Sequence, residues 1–201
     1  KSDKEIEFAV RNNIKVIVDN DYDLKRLEEI SNSFSRDLEI MIRFTPGIEC
    51  HTHEYIKTGS FDSKFGFGIE YLNTLFARIS NTKHIKLNGL HAHIGSQIFE
   101  LEPHKDLGEI MVNVILDAKK FGHDIKNLNL GGGLGIKYTE NDDPPSIDQW
   151  VKTISNSVLN ACKKHKLDLP TLMCEPGRSI VSTAGITIYK IGAFKKIPGI
   201  R

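Results

Sequence analysis

The chain has 201 residues, of which 39% are hydrophobic and 26% are charged, and its formal net charge is +1. This is an ordinary globular composition. Its near-neutral charge argues against a nucleic-acid surface, and no apolar run reaches the roughly 18–20 residues of a membrane-spanning helix. Three scattered cysteines, Cys50, Cys162 and Cys174, indicate no disulfide framework and favour a reducing, cytoplasmic location.

Helical and strand-like segments alternate along the chain. Apolar residues at helical spacing predict helices over residues 3–12, 24–34, 68–80, 104–122 and 146–165. Shorter apolar or alternating runs predict strands over residues 14–19, 39–45, 85–95, 128–133 and 171–181. Asp21 or Asp23 is expected to cap the second helix, and Gly122 to close the fourth. Residues 184–197 are expected to be extended.

The alternation predicts parallel strands joined by crossover helices. Either a barrel or an open doubly wound sheet fits this pattern. A complete eight-unit barrel takes about 250 residues, so the five units of this chain would be most of a barrel. We therefore expect the chain to begin in the middle of the fold.

Polar residues gather where the predicted strands end, which is where barrels of this type carry their chemistry. Arg43 ends the second strand, and His91 and His93 lie on one face of the third because side chains alternate along a strand. His91 is as readily a buried structural residue as a functional one. His93 is the better candidate, since Gly95 and Ser96 open a loop directly after it.

Glycines follow the fourth strand at Gly131, Gly132 and Gly133, and two more strand ends carry Gly95-Ser96 and Gly177-Arg178. Exposed backbone N–H groups at such junctions suit a phosphate. A nucleotide is disfavoured because no G-x-G-x-x-G or Walker pattern is present.

Glu175 lies beside this predicted phosphate site, where a carboxylate is unexpected unless the ligand also carries a cation. A protonated pyridine ring would satisfy that condition. The neighbouring Cys174 is expected to face the helices as a core residue, because Glu175 shares the opposite face with Met173.

Three motifs, "HAHIGSQI", "LGGGLGI" and "EPGRSIV", resemble in order and separation those of the diaminopimelate decarboxylases. These are pyridoxal-phosphate enzymes with an alanine-racemase-like barrel. The segment "RFTPGIECHTHEYIKTGSFDSKFG" resembles the same family. The resemblance implies an α/β fold, a (β/α)8 TIM-like barrel that is incomplete here. Residues 1–182 would form the cofactor-binding barrel, and residues 183–201 the start of a C-terminal β-domain.

The resemblance also implies roles around the ring of pyridoxal 5'-phosphate. His93 would stack on the ring, and Glu175 would pair with the pyridinium nitrogen; both are counted as catalytic. Arg43 would lie near the ring on a neighbouring strand. In racemases of this fold an arginine faces the ring nitrogen, so Glu175 favours a decarboxylase.

A second set of implied roles concerns the cofactor phosphate. Ser96 and Gly133 would bind it, with Gly131 and Gly132 shaping the turn. Gly177 and Arg178 would also contact the phosphate, and Arg178 would in addition meet a substrate carboxylate. No metal is implied.

The activity implied is decarboxylation of meso-2,6-diaminopimelate to L-lysine, the last step of lysine biosynthesis, through an aldimine and a quinonoid. The family also implies a homodimer with shared active sites.

The Schiff-base lysine of this family lies in a Tyr-Ala-x-Lys-type motif that is absent here, and Lys64 matches a family lysine with another role. We expect that lysine and the catalytic cysteine to lie outside this chain, and the chain alone to be inactive.

Three alternatives stay open. The chain could belong to a related decarboxylase of ornithine, lysine, arginine or carboxynorspermidine, or to a regulatory homologue that lacks the lysine. A metal-dependent hydrolase is the third, since the pairs His51/His53 and His91/His93 each follow a strand. Such a site also needs a catalytic aspartate at the end of a late strand, and glycines of the phosphate-binding type are not part of it.

Overall fold

A computed structural model describes residues 1–48, 64–193, 195–196 and 199. Helices and strands alternate in it as predicted. The strands are β1 (Val16–Val18), β2 (Leu38–Thr45), β3 (Phe67–Gly68), β4 (Ile85–His91), β5 (Asn127–Asn129) and β6 (Thr171–Met173). The helices are α1 (Asp3–Arg11), α2 (Asp21–Phe34), α3 (Leu72–Ser80), α4 (Glu102–Lys120), α5 (Ile147–His165) and α6 (Gly177–Val181). Short 3₁₀ turns cover Ile69–Tyr71 and Ser182–Ala184.

The main sheet runs in the order β1-β2-β4-β5-β6, and the two-residue β3 pairs with the end of β2. Every pairing is parallel. Each main strand therefore lies beside the main strand that precedes it in the chain. A doubly wound sheet reverses its strand order at a switch point, whereas a barrel keeps the sequential order. The strand order confirms the TIM-like barrel, of which this sheet is an arc.

One hydrophobic core joins the sheet to the helices that cover it. Branched residues of the central strands are buried because both faces of a parallel sheet are covered. Fully buried side chains of the strands and helices include Ile40, Ile42, Leu90, Leu128, Leu24, Phe76, Met111 and Trp150. This packing holds the carboxyl ends of the strands at one rim of the sheet.

The helix ends follow local side-chain chemistry. Ser2 with Glu5 and Ser146 with Gln149 form capping boxes at the starts of α1 and α5. The predicted cap of α2 at Asp21 or Asp23 is wrong. Asn20 is the cap, since its side chain accepts a hydrogen bond from the Asp23 N–H at 2.9 Å.

The two aspartates occupy the first turn of α2, where negative charge complements the helix dipole. At the end of α4, Gly122 lies just beyond the last helical turn with φ +84°. Glycine adopts that left-handed conformation without strain, so the predicted stop of this helix is confirmed.

The last predicted strand, residues 171–181, is too long. Strand β6 ends at Met173, and the chain turns at Pro176 into α6. Proline has no N–H to donate to a strand ladder. Cys174 is exposed rather than buried, because β6 is the edge strand of the sheet and its outer flank is uncovered.

Among described residues beyond Ala184 no strand is assigned, and Ile186, Ile188 and Tyr189 are exposed. The extended conformation predicted for 184–197 thus has no sheet partner there. The proposed boundary between residues 182 and 183 stays a prediction.

None of the helices in the described ranges combines the length and hydrophobicity that crossing a bilayer requires.

Candidate active site

The strand register aligns polar side chains across the sheet. Arg43 of β2 pairs with His91 of β4, His91 pairs with Asn129 of β5, and Asn129 pairs with Met173 of β6. Glu175 follows two residues after Met173. Because the strands are parallel, all of these positions reach the same rim of the arc.

A cavity of about 480 Å³ opens at this rim. It is lined by residues of β1, by residues at or after the ends of β1, β2, β4 and β6, by the start of α2, and by Lys1 and Phe65. The lining residues are Lys1, Ile17, Asp19, Asn20, Asp23, Arg43, Phe65, His91, His93 and Glu175. The predicted ring-binding residues Arg43, His93 and Glu175 are therefore brought together in one cavity.

Glu175 is held from two sides. Its Oε1 accepts a hydrogen bond from Asn129 Nδ2 at 2.9 Å, and His91 Nε2 lies 3.4 Å from the carboxylate. Its backbone N–H donates to the Gly131 carbonyl at 2.7 Å. The side chain remains 49% exposed, so an anchored carboxylate faces the cavity.

His93 is a neutral ring. Burial, first, and then the electrostatic effects of Arg43 and of the neighbouring His91 lower its pKa to about 4. Its Nδ1 accepts a hydrogen bond from the Gly132 N–H at 3.2 Å. In the neutral ring the proton is therefore on Nε2.

His91 is buried, and that burial lowers its pKa although Glu175 opposes the shift. Its Nδ1 has no hydrogen-bond partner within the described part of the chain. When the proton is on Nε2, this ring donates toward Glu175. The structure places His91 in the wall of the cavity.

Arg43 brings positive charge to the same wall. Its Nη1 lies 3.8 Å from Asp19 Oδ1, and its guanidinium stacks over the Phe65 ring at 4.7 Å. Burial is the largest cause of its lowered pKa, and Asp19 and Glu175 act in the opposite direction. The guanidinium stays charged at any physiological pH.

The glycine turn after β5 packs against its neighbours. Gly131 has φ +65° and donates its N–H to Asn129 Oδ1 at 2.9 Å. A Cβ at Gly132 would overlap the carbonyl oxygen of Glu175. At these two positions the need for glycine comes from the protein's own backbone, and their N–H groups already have acceptors.

The predicted phosphate-binding residues also meet. Arg178 Nε donates to Ser96 Oγ at 2.9 Å, and Arg178 Nη1 donates to the Tyr138 hydroxyl at 2.6 Å. Gly133 lies against Gly95, whose carbonyl oxygen would be 2.9 Å from a Cβ there. A Cβ at Gly177 would meet no atom within 4 Å.

Asn129 and Asp19 are the residues that sequence reasoning missed. Asn129 had a detectable signal: it is a polar residue at the carboxyl end of a strand whose alternate positions are leucines. The pair His51/His53 lies outside the described residues. Within the described ranges no group of three His, Cys, Asp or Glu side chains is arranged to hold a metal ion.

Comparison with known proteins identifies the family. The model for the pyridoxal-binding domain of pyridoxal-dependent decarboxylases matches residues 1–182. The chain belongs to this family. It is 48% identical over 201 residues to the diaminopimelate decarboxylase of Synechocystis sp., covering 100% of this chain and 43% of that protein. It is 38% identical over 205 residues to that of Bacillus subtilis, covering 100% and 47%.

Solved structures of pyridoxal-dependent decarboxylases share the fold. Diaminopimelate decarboxylase from Helicobacter pylori complexed with L-lysine superimposes with a TM-score of 0.81 and 32% identity, over 90% of this chain and 44% of that chain. The chain therefore spans less than half the length of the relatives it matches.

Pyridoxal phosphate is the cofactor of these decarboxylases, and the residues at the rim fit it. Glu175 offers a carboxylate to a protonated ring nitrogen. Arg178 and Ser96 offer a guanidinium and a hydroxyl, which bind phosphate well, and Gly177 leaves open space beside them. Anionic and cationic ends of the site thus match a ligand with a cationic ring and an anionic phosphate.

Proposed function

We propose that the protein containing this chain decarboxylates meso-2,6-diaminopimelate to L-lysine with pyridoxal phosphate. The observation that carries the proposal is the anchored Glu175 carboxylate, which Asn129 and His91 hold in the cavity. The names of the relatives support this substrate, as does the L-lysine bound in the Helicobacter pylori enzyme.

Bound at this rim, pyridoxal phosphate supplies a ring that withdraws electrons from the substrate carbon that loses its carboxylate. Glu175 would keep the ring nitrogen protonated by accepting a hydrogen bond from its N–H. The neutral His93 ring would cover one face of the cofactor without adding charge. Arg43 sets the positive potential of the cavity wall, balanced by Asp19.

The phosphate is assigned to Ser96, Gly133, Gly177 and Arg178, with Gly131 and Gly132 shaping the turn. The hydrogen bond from Arg178 to Ser96 supports this assignment because it brings the two polar groups together before a ligand arrives. The second guanidinium nitrogen of Arg178, now on Tyr138, is the group that would meet a substrate carboxylate.

Further proposals concern the whole protein. We assign the catalytic lysine and cysteine to segments that the longer relatives have beyond this match, and we expect residues 1–201 alone to be inactive. We also propose a homodimer with shared active sites, a β-domain beginning at residue 183, and a cytoplasmic location. The free thiols Cys162 and Cys174 support the last of these.

The test is a decarboxylation assay on the full-length protein loaded with pyridoxal phosphate. We expect L-lysine and carbon dioxide from meso-diaminopimelate, and little product from ornithine or arginine. Preference for ornithine or arginine would overturn the substrate assignment. A protein that binds the cofactor but releases no carbon dioxide from any of them would be a regulatory homologue.

A further inference from the structure

The Asn129 side chain makes two hydrogen bonds of opposite sense. Its Nδ2 donates to Glu175 Oε1 at 2.9 Å, and its Oδ1 accepts from the Gly131 N–H at 2.9 Å. The residue is only 3% exposed. One buried amide therefore connects the carboxylate of the site to the glycine turn.

Few side chains can do both. A carboxamide donates and accepts at once, whereas an ionised carboxylate only accepts. A buried polar group left without a partner is costly, so the amide is held in this orientation. The side chain is also long enough to contact both Gly131, which follows two residues later in the chain, and Glu175, which follows 46 residues later.

Glu175 needs such an anchor because its side chain is half-exposed. A free glutamate samples several rotamers, and ordering it costs conformational entropy. A hydrogen-bond donor on Oε1 selects one orientation of the carboxylate. The other donor, His91 Nε2, is more distant at 3.4 Å, so Asn129 makes the closer contact.

We propose that Asn129 is a positioning residue that fixes the orientation of the Glu175 carboxylate and couples it to the turn at Gly131. The inference rests on the proposed function for its effect on turnover. Its effect on the Glu175 carboxylate does not depend on that function. Disturbing Asn129 alters the carboxylate that faces the ring nitrogen and, through the same amide, the backbone of the glycine turn.

The variant Asn129→Asp separates the two bonds. Its carboxyl still accepts from the Gly131 N–H but no longer donates to Glu175, and it places two carboxylates side by side. Such a pair shares a proton, and its upper pKa rises. In the holoenzyme we expect turnover to fall about tenfold or more, and the acid limb of its pH profile to move to higher pH.

The matched control is Asn127→Asp, on the same strand two residues earlier. Asn127 is bonded to Asn88, away from the cavity, so this variant should leave the pH profile of turnover in place. An Asn129→Asp enzyme whose profile also stays in place would overturn the inference and make Asn129 a structural residue only.

A second readout uses the apoprotein and needs no activity. In Asn129→Asp the raised carboxyl pKa means that the shared proton stabilises the fold at low pH and is lost as pH rises. We expect its Tm to match the wild type near pH 5 and to fall below it by pH 8. The double variant Asn129→Asp/Glu175→Gln, with one carboxylate and a restored hydrogen bond, should lose that pH-dependent difference.

These outcomes separate the two proposals. If the wild type decarboxylates none of the substrates yet the Tm pattern is found, the proposed function fails and the anchoring of Glu175 stands. If the wild type is active and the Tm of Asn129→Asp shows no such pH dependence, the anchoring role is wrong.

Discussion

Arg178 donates a hydrogen bond from Nε to the Ser96 hydroxyl at 2.9 Å, which joins the start of α6 to the segment after β4. The two groups come from neighbouring parts of the rim and are 82 residues apart in sequence. A guanidinium beside a hydroxyl is a ready phosphate site.

Replacing Arg178 by glutamine should weaken binding of pyridoxal phosphate about tenfold to a hundredfold, because a hydrogen bond to a charged group contributes about 1.5–3 kcal/mol. Equilibrium titration of the apoenzyme measures it. Pyridoxal, which lacks the phosphate, is the control ligand and should bind the variant and the wild type alike. An equal loss for both ligands would show that Arg178 acts on the ring or on folding.

Replacing Glu175 by glutamine should retain cofactor binding and lower turnover on the order of a hundredfold, several kcal/mol of barrier. A neutral amide still accepts from Asn129 but cannot hold the ring nitrogen protonated. Steady-state assays of the full-length holoenzyme measure this. The exposed Glu102→Gln, at the start of α4, is the control, and similar rates for both variants would contradict the role of Glu175.

Three glycine-to-alanine variants should behave differently. At Gly132 a Cβ overlaps the Glu175 carbonyl oxygen, so Gly132→Ala should lower Tm. At Gly177 a Cβ meets nothing within 4 Å, so Gly177→Ala should keep its Tm but bind pyridoxal phosphate more weakly. Gly185→Ala, equally open, should change neither. Unchanged affinity in Gly177→Ala would place the phosphate elsewhere.

Acid should destabilise the fold through His104. This ring is 1% exposed, lies edge-on to Trp150 at 5.6 Å, and has its pKa lowered from 6.5 to about 4, chiefly by burial. The unfolded chain binds the proton more readily, so the stability that the neutral ring confers is present above about pH 6.5 and is lost as pH falls toward 4.

The variant His104→Phe removes this titration and should flatten the fall in Tm between pH 7 and pH 5. The full effect of this pKa shift on the free energy of unfolding is about 3 kcal/mol. Ile40→Val, a core substitution in β2 that keeps both His104 and the Trp150 ring against it, is the control and should keep the slope. A slope that persists in His104→Phe would assign the acid sensitivity to other groups, His93 first among them.

The fold was predictable because its signals are local. Apolar spacing places α4 and α5, and turn residues separate them from the strands. The missed details depended on single contacts. Asn20 caps α2 because its side chain reaches the Asp23 N–H, and Pro176 limits the last strand. Cys174 is exposed because no neighbour in the sheet covers the outer flank of β6.

The sequence allowed prediction of those site residues that lie at the ends of strands. Arg43, His93 and Glu175 line one cavity as expected. The part played by Asn129 depends on Glu175, which is 46 residues away, and a single sequence gives no measure of such a contact. Periodicity identified which residues face the rim but did not identify their partners.

The sequential strand order also bears on how the polypeptide acquires its structure during synthesis. Each main strand pairs with the main strand that precedes it, so its partner has already left the ribosome when it emerges. Pairing between chain neighbours closes shorter loops than pairing between distant segments, which favours faster folding. The sheet can therefore grow strand by strand in the direction of translation, with each new helix packing on the face of the strands already paired and each new strand covering the free edge.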